Sequence, residues 1–327
     1  MSRIEKETEY TLATTTPLGQ GASAKIYQAR LHQGDPIVAI KAIENKTHHA
    51  IAKNEINILS SIKHRNIITL LNSIDNKDNT YCYLIMPYYP SGDLFNLITE
   101  TDWEGDGSKS TIFHSIMLGV LKGIEYLHTK KIIHRDIKTE NILVNKNNPI
   151  IIDFGSSIKI EPLSKDDIIA TEKQAGSFFY FSREQHLFLS DEEIPTYPVS
   201  EKLDIYAVGF LFWLMWVGTL PQEIPNQKYS EIIGKNNGFL PFCWEDLYFP
   251  EQLRGIILNF TKFSFQYDKK SKSWCRLKNN DATCISDTIN LFEQQGVSIF
   301  KKPTNEEEIQ QCAAEDDSMI DYFIKEF

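Results

Sequence analysis

Short runs of β-forming residues dominate the first part of the chain. Segments 11–19, 24–31 and 37–43 alternate or cluster in such residues, which predicts three strands. In segment 51–62 isoleucines and leucines recur at helical spacing instead, and this change of period predicts one helix. The pattern therefore indicates a strand-rich region that contains a single main helix.

The pattern becomes helical after the turn-forming sequence Pro90-Ser91-Gly92. Segments 112–128 and 204–217 are the clearest helices, and long loops without an internal repeat separate them. The longest apolar run, 207–217, is much shorter than the roughly 20 residues that span a bilayer, so it predicts a buried core helix and no membrane insertion. A β-rich region followed by a larger, mostly helical region indicates the α+β class.

Composition and charge indicate a globular protein with an acidic surface. The 327 residues are 42% hydrophobic, enough to bury a substantial core in about two domains or one large two-lobed domain. The formal net charge is −10, which argues against nucleic acid or an anionic membrane as the main partner, because both require clustered Lys and Arg. A basic protein substrate is compatible with this charge.

Cysteine usage and the first residues predict a soluble, cytoplasmic protein. The chain begins with the polar sequence MSRIEKE, which resembles neither a signal peptide nor a myristoylation site. The cysteines are odd in number and have no metal-ligand spacing, which favours reduced thiols inside a cell over a disulfide framework. They are Cys82, Cys243, Cys275, Cys284 and Cys312.

Two motifs in the middle of the chain carry the most specific chemical signal. The sequence HRDIKTEN occupies 134–141, and DFG follows at 153–155 after a β-rich run. Together they supply a carboxylate that can accept a hydroxyl proton, a lysine, and two side chains that can bind metal ions, as phosphoryl transfer requires. In order and spacing they resemble the eukaryotic-type protein kinases. The resemblance covers about residues 15–295 and is weakly defined after about residue 222.

The resemblance implies a role for each polar residue of these motifs. Asp136 orients the substrate hydroxyl and receives its proton, and Lys138 neutralises charge on the transferred γ-phosphoryl group. Asn141 and Asp153 hold two Mg²⁺ ions through oxygen atoms, which hard cations prefer. The lysine two residues after Asp136 resembles the serine/threonine class, so the implied substrates are proteins with Ser or Thr acceptors.

A glycine-containing loop and a strand lysine complete the implied ATP site. The sequence LGQGASAKIY at 18–27 matches the kinase glycine-rich loop except that Ala24 replaces the third glycine. Lys41 in VAIK lies where the family has its phosphate-binding lysine, and Glu55 has the register to pair with it. Glu44 is the competing carboxylate, but it lies on the wrong side of a loop. The implied nucleotide contacts are Leu18, Gly19, Gln20, Gly21, Ala22, Ser23 and Ala24 of the loop, Ile26, Ala39 and Leu143 around adenine, Met86 as gatekeeper, Tyr89 through its backbone, Asp93 at the ribose, and Lys41 and Asp153 at the phosphates.

The resemblance also divides the chain into regions. It implies an N-terminal extension (1–14), a protein kinase domain (15–296) made of an N-lobe (15–86), a hinge (87–90) and a C-lobe (91–296), and an acidic C-terminal tail (297–327). Residues 301–327 contain three Lys and eight Asp or Glu, a net charge of −5, with apolar residues at helical intervals. A helix docked on the body, a partner-binding tail and simple disorder are the three alternatives.

Further residues match the family's internal regulatory column. Leu59, Leu70, His134 and Phe154 lie at the positions that stack in this column, and Asp204 matches the residue that anchors it. The family's usual tryptophan two residues after that aspartate is Tyr206 here, and a tyrosine preserves most of the aromatic burial.

The activation segment, 153–184, departs from the family pattern at its end. Its last residues are Ser-Arg-Glu in place of Ala-Pro-Glu, and Gly176-Ser177 replaces the substrate-positioning Gly-Thr. Glu184 is expected to pair with an arginine, for which Arg276 is the candidate.

Arg135 beside the catalytic aspartate suggests control by phosphorylation of this segment. Thr171 is the closest acceptor and the favoured autophosphorylation site, because a phosphate offers more charge than a carboxylate. Glu172 could supply a constant carboxylate instead, and a segment ordered without either group is the third alternative.

Two alternatives to a protein kinase remain. A pseudokinase scaffold would use the same fold for binding alone, but such proteins commonly lose at least one catalytic residue. This chain keeps the whole set: Lys41, Glu55, Asp136, Lys138, Asn141 and Asp153. A small-molecule kinase is the more distant alternative, and Arg135 together with segment 176–184 favours a protein kinase over it.

Overall fold

The computed structural model describes most of the chain between residues 2 and 300. The described ranges are 2–21, 24–76, 80–100, 107–161, 168–218, 250–261, 264–277 and 285–300. The alternatives for the segment 301–327 concern residues outside these ranges.

A six-stranded antiparallel sheet forms the first part of the fold. Its strands are β1 (Thr11–Leu12), β2 (Gly19–Gln20), β3 (Ala24–Arg30), β4 (Val38–Glu44), β5 (Asn72–Asp75) and β6 (Tyr81–Pro87). They lie in the order β1-β3-β4-β6-β5, and β2 pairs with β3. The central pair, β4 and β6, is rich in β-branched and other apolar residues and buries Ile40 and Leu84 completely. This rigid pair positions Lys41 for the site described below.

The strand predicted over 11–19 is wrong in its middle. Only its two ends pair with β3, and between them the Thr14 hydroxyl donates to the carbonyl of Thr16 at 2.9 Å. Such a local hydrogen bond competes with strand pairing, and Pro17 has no N–H to contribute to a ladder. The strands predicted over 24–31 and 37–43 are confirmed, each within one residue at either end.

Helices make up most of the rest of the described chain. The α-helices are α1 (Arg3–Thr8), α2 (Asn45–Ser61), α3 (Leu94–Glu100), α4 (Gly107–Thr129), α5 (Arg183–Ser190), α6 (Glu201–Val217), α7 (Glu251–Phe260) and α8 (Ile285–Gln295). Two-stranded antiparallel sheets connect or flank them: β7 (Ile132–Ile133) with β10 (Ile158–Lys159), β8 (Ile142–Asn145) with β9 (Asn148–Ile151), β11 (Ala170–Thr171) with β12 (Tyr197–Pro198), and β13 (Phe265–Asp268) with β14 (Ser273–Arg276). The predicted α+β architecture is thereby confirmed.

The three predicted helices are confirmed, but each begins earlier than its apolar pattern does. The first is α2, whose opening turn is kinked at His48, where φ is −129° and ψ is 17°. In α6 the hydroxyl of Ser200 accepts from the Lys202 amide at 3.2 Å and caps the helix before the first buried residue. The same helix ends where Gly218 adopts the left-handed conformation, at φ 79°. A capping serine and a left-handed glycine therefore set the ends of α6, which hydrophobic periodicity does not show.

The core of the helical part is built around α6. Its residues Val208, Phe210, Leu211 and Phe212 are completely buried, and they belong to the cluster that α4, α7 and α8 also contribute to. The predicted core helix over 207–217 is therefore confirmed. Within the described ranges, each helix is too short or too polar to cross a membrane.

The first residues fold into α1, a helix that the sequence analysis missed. The Ser2 hydroxyl accepts from the Glu5 amide, and the Glu5 carboxylate accepts from the Ser2 amide at 2.6 Å, forming a capping box. Ile4 is buried in a small cluster on one face of the sheet. The carboxylate of Glu7 accepts from the Tyr83 hydroxyl of β6. The start of the chain is therefore fastened to the strand that runs beside β4.

Replacement of Ile4 by alanine is expected to destabilise the sheet region. Removing a largely buried isoleucine side chain loses transfer free energy and leaves a cavity, so the expected cost is about 2 kcal/mol. Thermal unfolding measured by circular dichroism should show a decrease in Tm of about 4 to 8 °C. Leu71→Ala is the matched control, because that side chain is 53% exposed and should leave Tm nearly unchanged. Equal Tm values for both variants would show that α1 does not stabilise the sheet.

Candidate active site

Lys41 lies at the centre of a buried ionic cluster. Its Nζ donates to both carboxylate oxygens of Glu55 at 2.8 Å and to Oδ1 of Asp153 at 2.7 Å. β4 carries Lys41, α2 carries Glu55, and both residues are more than nine-tenths buried. Glu44 is exposed at the end of β4 and is not part of the cluster. The structure therefore brings together the pair that the sequence suggested.

The electrostatics of this cluster favour the charged forms of Lys41 and Asp153, whereas burial raises the pKa of Glu55. Burial by itself lowers the pKa of Lys41, but the carboxylates of Glu55 and Asp153 outweigh burial and raise that pKa above its ordinary value. Burial raises the pKa of Asp153, whereas the Lys41 ammonium lowers it, and the net direction is downward. A cation fixed on the sheet therefore faces an ionised carboxylate that belongs to the DFG motif.

The loop after β7 is held by one buried carboxylate. Asp204, in the first turn of α6, is completely buried and accepts from the backbone amides of His134 and Arg135, each at 2.8 Å. The imidazole of His128 adds a third contact to this carboxylate at 3.0 Å. Arg135 adopts a left-handed conformation at φ 66°, a strained geometry for a residue other than glycine. Asp204 thereby fixes the turn that presents Asp136.

Asp136 lies in a network with three other polar side chains. Its Oδ1 accepts from the Ser177 hydroxyl at 2.9 Å, and its Oδ2 accepts from Nδ2 of Asn141 at 3.0 Å. The Lys138 ammonium lies 3.3 Å from Asp136 Oδ2 and also donates to the Ser177 hydroxyl at 2.9 Å. The structure therefore brings Asp136, Lys138 and Asn141 together, and it adds Ser177 from a distant part of the chain.

The DFG motif packs directly on the loop that carries Asp136. Phe154 is completely buried, and its ring meets the His134 ring edge-on with centroids 4.8 Å apart. Leu59 is buried in the same core, and Leu70 packs against it. The contact between His134 and Phe154 agrees with the predicted internal column, and the stacking of Leu59 and Leu70 in that column stays a prediction. Asp153 has φ 63°, a left-handed conformation that accompanies its contact with Lys41.

The Tyr206 ring is buried, as the sequence predicted, and its hydroxyl makes no hydrogen bond within the described residues.

Glu184 accepts from the backbone amides of Ser264 and Phe265 at 3.2 and 3.3 Å. The prediction that Arg276 pairs with Glu184 is wrong, because the Arg276 guanidinium lies over the Phe265 ring, 5.3 Å from its centroid. Backbone amides supply contacts that an arginine was expected to make.

The glycine-containing loop forms part of a hairpin over the ionic cluster. Gly19 and Gln20 pair with β3, and the Gly21 amide donates to the Ala24 carbonyl at 2.9 Å. Ile26 is the strand neighbour of Lys41. Leu18 is exposed at the start of the hairpin, whereas Ala22 and Ser23 lie outside the described residues. The backbone of this loop is therefore anchored to the strand that adjoins β4.

The predicted adenine-pocket residues lie on adjoining elements. Ala39 is the direct strand neighbour of Met86, which is largely buried, while Leu143 pairs with Asp93 in an isolated bridge. Tyr89 packs against the main core.

Asp93 has a structural function that the sequence analysis did not foresee. Its Oδ1 accepts from the Asn96 amide at 2.8 Å in the first turn of α3. Burial, partly offset by amide hydrogen bonds, raises the pKa of this carboxyl. A ribose hydroxyl would therefore meet a carboxylate that already caps a helix.

Comparison with known protein families agrees with this geometry. The family model described as "Protein kinase domain" matches residues 12–272. Aurora kinase C of Mus musculus is 31% identical over 213 residues, covering 63% of this chain and 70% of that protein. CBL-interacting protein kinase 11 of Oryza sativa subsp. japonica is 29% identical over 223 residues, covering 66% of this chain but 41% of that protein.

A third relative is named as a tyrosine kinase. Receptor protein-tyrosine kinase CEPR1 of Arabidopsis thaliana is 29% identical over 238 residues, covering 67% of this chain and 23% of that protein. The chain thus spans less than half of the rice and Arabidopsis relatives, and the activities of those whole proteins are not transferred to it. The family model covers well over half of the chain. The chain therefore belongs to the protein kinase domain family.

Proposed function

We propose that this protein is an ATP- and Mg²⁺-dependent protein kinase that phosphorylates Ser or Thr hydroxyls. The observation that carries the proposal is the side-chain network around Asp136. Lys138, Asn141 and Ser177 each lie within hydrogen-bond or ion-pair distance of the Asp136 carboxylate, and Lys138 also donates to Ser177. A scaffold that only binds partners has no need for these four groups to converge. The ionic cluster at Lys41 supplies the second half of the site.

The hydroxyl of Ser177 marks where an acceptor hydroxyl can interact with the site. It donates to Asp136 Oδ1 and accepts from the Lys138 ammonium, so a hydroxyl at this place meets a base and a cation together. Asp136 would orient the substrate hydroxyl and accept its proton, which typically contributes about 10² to 10⁴ in rate. Lys138 would stabilise the charge that develops on the transferred phosphoryl group.

The remaining residues fit the nucleotide and the metal. Nδ2 of Asn141 donates to the backbone carbonyl and carboxylate of Asp136, which leaves its Oδ1 as the atom for a cation. Asp153 uses Oδ1 for Lys41, and its second oxygen completes an oxygen-donor set that suits Mg²⁺. Bound Mg²⁺ would neutralise phosphate charge and orient the γ-phosphoryl group for in-line transfer. Lys41 would contact the α- and β-phosphates, held in place by Glu55.

Serine/threonine specificity rests on Lys138. The lysine two residues after the catalytic aspartate resembles that class, and its contact with Ser177 places a cation beside the acceptor region. Two relatives have names that indicate different acceptors. One is a serine/threonine-protein kinase of Schizosaccharomyces pombe at 31% identity, and the other is the tyrosine kinase of Arabidopsis. The specificity is therefore argued from the site and not from these names.

A peptide array with radiolabelled ATP tests the function. The array should contain sequences with Ser, Thr or Tyr as the only hydroxyl acceptor, and parallel reactions should contain Mg²⁺ or an excess of EDTA. We expect label on Ser and Thr peptides in Mg²⁺ alone. Label confined to Tyr peptides would refute the specificity, and an unlabelled array with bound ATP would favour the pseudokinase scaffold.

Replacement of Ser177 by alanine is expected to lower kcat/KM for the peptide about tenfold. The variant removes hydrogen bonds to two charged groups, and bonds of this kind typically contribute about 1.5 to 3 kcal/mol. Steady-state kinetics should show the loss, with the KM for ATP nearly unchanged. Ser271→Ala is the control, since that hydroxyl is exposed on the β13–β14 hairpin and contacts only neighbouring residues. Wild-type kinetics for Ser177→Ala would mean that this hydroxyl does not position the site.

Location and partners are the remaining parts of the proposal. Within the described ranges Cys82 and Cys275 are free thiols, which supports the predicted cytoplasmic location. The negative net charge supports basic protein substrates and argues against nucleic acid. Docking of a partner, or of the chain itself, through the tail stays a prediction.

A further inference from the structure

Tyr197 is a buried residue that the catalytic motifs do not include. It lies in β12, its side chain is completely buried, and its ring packs 5.3 Å from the Phe188 ring. The surrounding apolar cluster contains Ile133, the residue that precedes His134, and Leu203, the residue that precedes Asp204. Tyr197 is therefore packed against the elements that hold the catalytic loop.

The backbone of β12 fastens one half of the activation segment. Thr171 and Ala170 of β11 pair with Tyr197 and Pro198, and the Val199 amide donates to the Ile169 carbonyl at 2.7 Å. Ser177, which contacts Asp136, follows β11 by only a few residues. A shift of β11 would therefore displace Ser177 and the region where the acceptor hydroxyl is expected.

The Tyr197 hydroxyl fastens the next part of the same segment. It donates to the backbone carbonyl of Lys173 at 2.9 Å. The same hydroxyl also acts to raise the pKa of the Arg135 guanidinium, although burial makes the net direction downward. Tyr197 thus fastens residues 171–173 of the activation segment to β12.

Arg135 fastens the beginning of the same segment. Its Nε donates to the Ser156 carbonyl at 2.6 Å, and its backbone amide donates to Asp204. The Thr171 hydroxyl accepts from the Lys173 amide at 3.1 Å. The activation segment is therefore held at its beginning by Arg135 and in its middle by Tyr197, with an uncharged carbonyl oxygen as the acceptor at both points.

We propose that Tyr197 is a positioning residue for phosphotransfer, which holds the middle of the activation segment in place without a phosphate group, through its strand pairing with Thr171 and its hydroxyl bond to the Lys173 carbonyl. This inference rests on the proposed kinase function. It selects the third of the alternatives for the segment, order without phosphate or an acidic substitute. Thr171 is then structural, through its strand pairing and its contact with Lys173, and its phosphorylation is not required.

Tyr197→Phe is the variant that tests the inference, because it keeps the buried ring and removes the hydroxyl alone. The full chain should be treated with a phosphatase that is then removed, and mass spectrometry should verify segment 153–184 before and after the assay. We expect kcat to fall about tenfold, because a part-buried carbonyl left without its donor is costly and this one lies close to Ser177 in the chain, while the KM for ATP and Tm change little. Tyr267→Phe is the matched control. Its ring packs against the same cluster, but its hydroxyl donates to the Glu193 carbonyl at 3.3 Å, outside the activation segment, and its loss should leave kcat unchanged.

Hydrogen exchange supplies a readout that does not depend on activity. In Tyr197→Phe the amides of 168–175 should exchange faster than in the wild-type protein and in Tyr267→Phe. Unchanged exchange in this segment, or wild-type kcat in Tyr197→Phe, would overturn the inference. It would also be overturned if the dephosphorylated wild-type protein were inactive and regained activity with phosphate between 153 and 184. Faster exchange in a protein that never transfers phosphate would refute the proposed function while supporting the tether.

Discussion

Replacement of Asp136 by asparagine is expected to lower the turnover of peptide phosphorylation by about 10² to 10⁴, because an amide cannot accept the hydroxyl proton. The change is isosteric: the single amide oxygen can still accept from Asn141, and the amide nitrogen can donate to the Ser177 hydroxyl oxygen. The loss should therefore fall on kcat, measured with radiolabelled ATP at saturating peptide. ATP binding, measured by thermal shift in Mg²⁺, should largely survive because Asp136 belongs to the acceptor side of the site.

The control for this prediction is Asp268→Asn, a change of the same kind on the exposed β13–β14 hairpin. Asp268 accepts from the Lys270 amide at 2.9 Å in a turn that an asparagine can also form. We expect wild-type turnover from it. Undiminished activity in Asp136→Asn would remove this residue from the mechanism and, with it, the chemical assignment of the whole network.

Replacement of Lys41 by methionine is expected to reduce phosphotransfer at least a hundredfold. The variant removes the cation that Glu55 and Asp153 hold, so nothing at this position would neutralise the phosphates. Both peptide phosphorylation and the thermal shift produced by Mg-ATP should decrease. Lys159→Met, a change of an exposed lysine that pairs with Glu161, should leave both unchanged. Unaltered activity and thermal shift in Lys41→Met would show that another lysine binds the phosphates.

Loss of Lys41 also leaves the Glu55 carboxylate buried without a counterion. Breaking one partner of a buried ion pair typically costs about 3 to 5 kcal/mol, so lower activity could come from unfolding alone. The double variant Lys41→Met/Glu55→Gln removes the unpaired charge and restores part of the stability. It should stay inactive while its Tm rises above that of Lys41→Met. Recovery of activity in the double variant would contradict the phosphate role of Lys41.

Most of the candidate site could be predicted from the sequence because its residues lie in short motifs with fixed spacing. Lys41, Asp136, Lys138, Asn141 and Asp153 are each identified by immediate neighbours in the chain. The structure brings these residues together in two groups of contacts, one around Lys41 and one around Asp136. The roles of these residues in catalysis stay predictions.

The structure also contains contacts that local patterns could not show. Glu184 is satisfied by backbone amides some eighty residues away, and a backbone partner leaves no residue type to search for. Tyr197 reaches Lys173 because β11 and β12 pair, and two-residue strands have no measurable period.

α1 was missed for a different reason. A helix of six residues is too short to show a helical apolar period, and only Ile4 and Thr8 are buried in it. A signal was nevertheless present, since Ser2 followed by Glu5 has the spacing of a capping box. The strand predicted over 11–19 failed because three consecutive threonines suggested β-structure, whereas the local hydrogen bond of Thr14 and the presence of Pro17 interrupt it.

Localisation of the transferred phosphate tests the central claim most directly. The purified wild-type chain should be incubated with Mg-ATP and a library of peptides that contain Ser, Thr and Tyr, and the products should be mapped by tandem mass spectrometry. The account predicts phosphate on Ser and Thr side chains, dependent on Mg²⁺ and lost in Asp136→Asn. Phosphate on Tyr alone, or unmodified peptides after incubation with a protein that binds ATP, would contradict it.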